Sequence, residues 1–448
     1  MGRLVIVSNR VPAVRDRAQP AGGLAVALRD AVQGQECLWF GWSGQQIPDD
    51  EGEDRRVSID TVDNVTYATV DLTKSEYNGF YEGYSNGILW PLCHYRAGLM
   101  NYSRQDRHTY HAVNTMFAQK LAPLLKSDDL VWVHDYHLFP LGLALRELGI
   151  KCRIGFFLHI PFPPWSLMRA LPGAEKLMRS LRAYDVMGVQ TEDDARNVNE
   201  GFSVVGVPAQ ARVFPIGIDP ESFQQQASSG LDNPEVQKLE KSLRGLPLII
   251  GVDRMDYSKG LPERFRAYEV FLRKYPEYRG KVIYLQITPV SRGSVPEYKV
   301  LREELDGVVG HINGTYGDFD WVPIRYLTHP VPRELLAPFF RLSRAALVTP
   351  LRDGMNLVAK EYVAAQDKED PGVLILSRFA GAAPEMEDAL LVNPHDADEV
   401  ADALHKSLSM SLSERQVRWK RLQPDVWRVT AGSWARSFIT ALAEVRSE

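Results

Sequence analysis

The sequence predicts an α/β protein built as two doubly wound domains, and three observations carry that prediction. Short, continuously apolar runs recur at 4–7, 130–133, 154–158, 186–189, 248–252, 282–287, 345–348 and 373–376, the pattern of parallel strands covered by helices on both faces. Segments of helical spacing follow most of them; Leu261, Phe265, Tyr268 and Leu272 lie about one turn apart and form one apolar stripe for a helix packed on a sheet. Finally, 448 residues exceed the roughly 250–300 at which single cores stop growing. Two domains are expected, facing a central cleft beyond the carboxyl ends of their strands, where open parallel sheets bind ligands.

Composition narrows the function classes. The chain is 45% hydrophobic and 24% charged, ordinary globular values. Lys plus Arg total 52 against 57 for Asp plus Glu, a formal charge of -5 with no long basic run, so no nucleic-acid partner is expected. Cys37, Cys93 and Cys152 are odd in number and far apart, which fits neither a disulfide framework nor a zinc ribbon and suits a reducing cytoplasm. The apolar run at 4–7 is too short for a signal peptide, and nothing approaches the roughly 18 consecutive apolar residues of a membrane span. A polar stretch at 224–241 follows the turn-rich Pro215-Ile216-Gly217-Ile218-Asp219-Pro220. It sets the expected division at 1–236 and 237–430, with a closing amphipathic helix from about Trp427 whose residues 431–448 return to the first domain.

The strand ends come next, in chain order. Arg10 follows the first run, and Ala21-Gly22-Gly23-Leu24 comes after it, a glycine pair but no Walker motif. Tyr81 and Trp90 stand in a stretch rich in Asn, Gly and Tyr, suited to stacking on a sugar ring or equally to a core. The run at 130–133 ends in His134-Asp135-Tyr136-His137 and that at 154–158 in His159-Ile160-Pro161-Phe162-Pro163; the histidine spacing, without a supporting acidic pair, does not make a metal site. Arg254 and Lys259 follow the run at 248–252, ahead of a helix with Pro262 in its first turn, where a missing N–H costs nothing. They read as a diphosphate clamp, or Arg254 bridges Asp253 or Asp256 structurally. Arg292 is a further cation after the run at 282–287, whereas Asp318-Phe319-Asp320 follows a turn and reads as a loop.

The run at 345–348 leads into Asp353-Gly354-Met355-Asn356-Leu357-Val358 and a helix carrying Glu361. The first N–H groups of such a helix lack intrahelical acceptors and can receive phosphate oxygens. Helical side chains lean toward the N-terminus, so Glu361 either meets a ribose diol bound there or pairs with a nearby cation.

Together these residues resemble the trehalose-6-phosphate synthases, retaining glycosyltransferases of the GT-B fold. The resemblance rests on Ser8-Asn9-Arg10, Ala21-Gly22-Gly23-Leu24, Leu38-Trp39-Phe40-Gly41-Trp42, His134-Asp135-Tyr136-His137-Leu138, His159-Ile160-Pro161-Phe162-Pro163, the stretch 256–265, Ser291-Arg292-Gly293 and the run 347–366, in order along almost the whole chain. It implies two Rossmann-like domains, the first for the acceptor and the second for the nucleotide sugar. Arg254 and Lys259 are then expected on the donor diphosphate with backbone groups of Asn356, Leu357 and Val358, and Glu361 on the ribose. His159 and Asp353 are expected at the donor glucose, with Gly23 near the donor, and Arg10, Trp42, Tyr81, Trp90, Asp135 and Arg292 at glucose 6-phosphate, with Arg254, Lys259, Asp135 and His159 nearest the chemistry. Asp253, Met255 and Pro384 stand where Glu, Leu and Asn are frequent in that family, none of them at the chemistry.

The implied partners are a nucleoside-diphosphate glucose, UDP-glucose first among the uracil, guanine and adenine donors, and glucose 6-phosphate. No metal, cofactor, membrane or fused trehalose-phosphate phosphatase is expected, and a homo-oligomer stays open. The rival readings are a glucosylglycerol-phosphate synthase or a pseudo-glycosyltransferase of the same family, against which Tyr81, Trp90 and Trp42 argue, and a non-catalytic sugar-phosphate sensor.

Overall fold

The computed structural model describes residues 2–12, 36–53, 55–290 and 296–445. Its contacts divide the chain into two compact units, Met1–Ile216 with Ala431–Glu448, and Gly217–Thr430.

The first unit is built on strands β1 (Leu4–Arg10), β2 (Cys37–Ile47), β3 (Ser58–Val62), β4 (Val65–Thr73), β5 (Leu130–His134), β6 (Arg153–Phe157), β7 (Val186–Val189) and β8 (Ala211–Val213). They form one sheet in the order β3-β4-β2-β1-β5-β6-β7-β8, parallel except for the antiparallel β3–β4 hairpin. The middle strands are buried along nearly their whole length, which is why they read as unbroken apolar runs. Helix α1 (Arg104–Leu121) is capped by Ser103, whose hydroxyl accepts from the Asp106 N–H. Its buried face packs Phe117 edge-on against Phe40 of β2. Ahead of α1, a wide π-helical stretch, Tyr77–Leu89, runs directly into Trp90–Cys93.

The second unit carries β9 (Leu248–Val252), β10 (Ile283–Ile287), β11 (Ile324–Leu327), β12 (Ala345–Val348), β13 (Val373–Ser377) and β14 (Leu390–Val392). They make an all-parallel sheet in the order β11-β10-β9-β12-β13-β14. Its helices include α2 (Pro220–Ser229), α3 (Pro234–Leu243), α4 (Leu261–Lys274), α5 (Arg333–Leu342), α6 (Leu357–Ala365) and α7 (Leu412–Arg428). The division expected after residue 236 falls inside α3. Buried Phe223 and Ala227 seat α2 on α5 and α6, and buried Val236 seats α3 on α5. The polar residues read as a linker are the outer faces of two amphipathic helices.

Helix α8 (Ala431–Ala443) packs on β5, β6 and β7. Phe438 stacks on Trp132 at 4.7 Å and 13°. Gly155 and Gly188 leave it room, since an added Cβ there would come within 2.7–2.8 Å of the ring. The helix expected from about Trp427 is thus two: α7 runs on to Arg428 and α8 begins at Ala431. Among the described residues no helix is long and apolar enough to cross a membrane, and all three cysteines are buried free thiols.

Candidate active site

In the first unit the strand register itself assembles a group of candidates. Arg10 ends β1 directly opposite Trp42 on β2, with its guanidinium carbon 5.7 Å from the indole centroid, within cation–π range. Tyr77 and Tyr81, one turn apart on the π-helical stretch, face the same indole at 5.4 and 6.0 Å. Tyr81 stacks nearly parallel on His137, 5.7 Å away at 9°. Burial, followed by Glu82, raises the Tyr77 phenol to about 12, so it stays a neutral donor. Trp90 is buried against His94 and Tyr136, at ring distances of 4.1 and 5.6 Å; it is wall more than platform.

The β5 and β6 ends form a second cluster. Asp135 sits just past β5 at φ 76, a region side chains rarely occupy and which recurs at functional sites. Its N–H donates to the Phe157 carbonyl at 2.8 Å, and its Oδ1 accepts from the His159 N–H at 3.2 Å. His159 Nε2 and His134 Nδ1 lie 3.1 Å apart. Burial lowers the His159 imidazole to about 3, and burial then His159 hold His134 well below its ordinary value. Both rings are therefore neutral, and one must donate to the other.

In the second unit the candidates cluster at the ends of β9 and β12. Asp253 is claimed by Arg264 of α4 at 2.7 Å, both buried, and Arg264 also donates to Thr349 Oγ1 and Gln286 Oε1. Arg254 instead comes within 3.6 Å of buried Asp256 while its side chain stays half exposed. Asp256 is itself held by the Ser258 N–H and the Tyr298 hydroxyl. A short 3-10 turn, Tyr257–Lys259, and Gly260 at φ 64 lead into α4. An added Cβ at Gly260 would meet the Thr349 carbonyl at 2.6 Å, so the glycine lets the β9 and β12 loops close on each other. Lys259 Nζ then reaches Asp353 Oδ2 at 2.5 Å, and Asn356 Nδ2 reaches the same oxygen at 3.0 Å.

Asn356 caps α6 at φ 87, its side chain accepting from the Ala359 N–H. The N–H groups of Leu357 and Val358 open the helix without intrahelical acceptors. Glu361, one turn further, meets Arg333 of α5 at 3.7 Å; burial still raises its carboxyl to about 7. Arg333 packs over Phe223, 5.1 Å from the ring centroid.

Lys259 and Asn356 thus meet on Asp353, Arg10 and Tyr81 both face Trp42, and Asp135 bonds His159. Leu357, Val358 and Glu361 share α6, and Arg254 lies on the loop that Lys259 closes. Gly23 and Arg292 lie outside the described residues. Sequence reasoning missed Tyr77, His134 as partner of His159, and Arg333. Tyr77, one turn before Tyr81, was within reach of a helical-spacing argument. Among the described residues no group of three or more His, Cys, Asp or Glu is arranged to hold a metal.

A lysine and amide groups at a helix N-terminus beside carboxylates suit an anionic group attached to a polyol, at the strand ends where doubly wound sheets bind their ligands. The chain belongs to glycosyltransferase family 20, whose model matches residues 2–444, and it is a hexosyltransferase of the GT-B fold. A trehalose-6-phosphate synthase of Sodalis glossinidius is 46% identical, the match covering 100% of this chain and 97% of that one. The crystal structure of a UDP-forming α,α-trehalose-phosphate synthase of Burkholderia xenovorans with glucose 6-phosphate is 43% identical with a TM-score of 0.94, covering 98% of this chain and 100% of its own. An E. coli structure described as trehalose-6-phosphate bound with UDP-2-fluoro glucose is 44% identical with a TM-score of 0.94, covering 100% of both chains.

Proposed function

We propose that the chain transfers glucose from UDP-glucose to glucose 6-phosphate with retention at the anomeric carbon, releasing UDP and forming α,α-trehalose 6-phosphate in trehalose biosynthesis. The observation that carries this reading is the cluster of Lys259, Asp353 and Asn356 at the start of α6. Breaking the bond between glucose and UDP builds negative charge on the diphosphate and positive charge on the sugar. Lys259, Arg254 and the amides of Asn356, Leu357 and Val358 receive the first, in a place that needs no metal. Before the donor arrives Asp353 neutralises Lys259; with the donor bound, the diphosphate takes the lysine and Asp353 is released to the glucose hydroxyls.

Glu361 binds the ribose diol. His159, neutral at working pH, offers a hydrogen bond to the donor glucose rather than a charge, and Gly23 is expected near the donor. On the acceptor side Arg10 and Arg292 read the phosphate, while Trp42, Tyr81, Trp90 and Asp135 border the sugar. The acceptor hydroxyl attacks on the face the diphosphate leaves, and its proton passes to the departing phosphate oxygen, so that one C–O bond forms as another breaks. Cytoplasmic action, without nucleic acid or membrane, suits substrates of this kind.

Release of nucleoside diphosphate across a donor panel tests the reading. UDP release from UDP-glucose that depends on glucose 6-phosphate is expected; release with glycerol 3-phosphate instead would assign the relative that makes glucosylglycerol phosphate. Lys259→Ala should lower kcat by about a hundred- to a thousand-fold, as loss of one preorganised donor does, with little change in melting; near-normal turnover removes the clamp. A glycosyl adduct on Asp135 by mass spectrometry would replace same-face attack with a covalent route.

A further inference from the structure

The first unit carries a concavity lined by none of the residues assigned to either substrate. Arg104, Arg107, His108 and His111 follow one another at i, i+3, i+4 and i+7 along α1, a single helical face. With Tyr84 of the π-helical stretch, and with Gly173, Lys176 and Leu177 at the start of the short helix Ala174–Ser180, they line a cavity of about 230 Å³. No carboxylate lines it. The nearby acids are turned to other partners: Glu175 pairs with Arg179 at 3.6 Å, and the Asp106 carboxyl packs against Gly83. Among the described residues Arg104, Arg107 and Lys176 enter no ion pair.

Arg107 reaches across to the opposite wall. Its Nη1 donates to the Pro172 carbonyl at 3.5 Å, and Gly173, at φ 90, leaves room where a Cβ would sit 3.1 Å from that nitrogen. Like charges gathered without a counter-charge repel, and surfaces ordinarily relieve this by interspersing acids. Burial, with Lys176, Arg107 and His108, lowers the His111 imidazole to about 4, so it faces the cavity as a neutral hydrogen-bonding group.

We infer that this cavity is a binding site for a small phosphoryl anion, separate from the transfer site. Two guanidinium groups and an ammonium match the charge and oxygen count of a phosphate. The volume lies below the roughly 300–1,000 Å³ of ordinary small-molecule sites, which suits phosphate or a short phosphomonoester better than a nucleotide. The site is wired to the acceptor residues. On α1, the Tyr110 hydroxyl donates to the Tyr136 carbonyl at 2.7 Å and Asn114 Nδ2 to the His137 carbonyl at 3.1 Å. Tyr84 packs on Tyr110 at 4.5 Å and shares its helix with Tyr77 and Tyr81. An anion drawn between α1 and Lys176 therefore pulls on the elements that hold Asp135, His137 and Tyr81.

The test follows the His108 and His111 ring resonances of the full chain, assigned with His111→Gln, during titration with inorganic phosphate, with glycerol 3-phosphate and with chloride at matched ionic strength. Saturable shifts at millimolar phosphate are expected, with the His111 pKa moving up because a neighbouring anion favours the protonated ring. Arg107→Gln with Lys176→Gln should abolish them while the protein still melts as wild type; if that pair fails to fold, Arg104→Gln with Lys176→Gln replaces it. Tighter saturation by glycerol 3-phosphate marks an organic phosphate as the ligand, and tighter saturation by phosphate marks the free ion. Shifts that do not saturate, that chloride reproduces, or that survive in the double variant overturn the site.

Discussion

At Glu361 the needs of folding and of the proposed ribose binding oppose each other. The carboxyl ordinarily titrates near 4.5, and burial lifts it to about 7 in the folded chain. Between those values the folded state holds a proton that the unfolded state has released, so this contribution to stability is complete below about 4.5 and lost as pH rises through 7. A carboxyl raised this way costs on the order of 1–3 kcal/mol at neutral pH, with Arg333 at 3.7 Å already offsetting part of the burial. Glu361→Gln should accordingly stabilise the unliganded protein by ~1–3 kcal/mol at pH 8 and by little at pH 4, as read from denaturant melts at the two values. If the carboxylate accepts the ribose as proposed, the wild-type KM for the donor rises below pH 7, as Glu361 takes up its proton, and in the variant it is high and flat. A variant less stable than wild type at pH 8 would show that the buried charge is compensated elsewhere. The place of Glu361 on the helix allowed a ribose or a cation as its partner, but Arg333 as that cation was not legible, because no local spacing links residues on two helices. The same holds for Asp253, whose sequence neighbour Arg254 is the obvious partner until Arg264 is seen 2.7 Å away.

Among the elements, the start of α6 serves the fold and is proposed to serve the donor as well. Asn356 holds a positive φ of 87, caps the Ala359 N–H and donates to Asp353. Glycine tolerates that backbone and alanine does not. Losing the cap to alanine costs typically about 1 kcal/mol and to glycine only a few tenths, and the left-handed backbone adds roughly 1–2 kcal/mol for alanine. Asn356→Ala should thus be less stable than Asn356→Gly, while both raise the donor KM through the loosened Asp353. Equal melting temperatures would mean that the backbone relaxes out of the left-handed region. Elements of this kind were readable where the pattern was clean: β7, β9 and β12 run as expected, and β1, β5, β6, β10 and β13 differ only at their ends. β2 was not recognised as a strand, because Gly41, Ser43, Gly44 and Gln45 interrupt its apolar run and its pairing with β4 shifts register between Trp42 and Gln46. Yet that irregular end is what presents Trp42 beside Arg10.

For the molecule as a whole, the two sheets followed from the rhythm of the runs, whereas the division between units did not, because surface polarity looks the same on a linker and on an amphipathic helix. α2 and α3 are polar outside yet buried where they meet α5 and α6. The chain enters the second unit and leaves it at adjacent points, with Ile218 bridging Thr430, and its last helix completes the first unit. There Phe438 fills the space above Gly155 and Gly188 and stacks on Trp132. Truncating a buried Phe to Ala costs about 3–5 kcal/mol, and this ring belongs to one compact unit only. In Phe438→Ala, amide hydrogen exchange should therefore quicken across β5, β6 and β7 while β9, β10, β12 and β13 keep their wild-type protection. An equal loss in both sheets would mean that they unfold as one cooperative body, and an unchanged first sheet would mean that α8 is an ornament rather than a wall of the core that holds Asp135 and His159 at its strand ends.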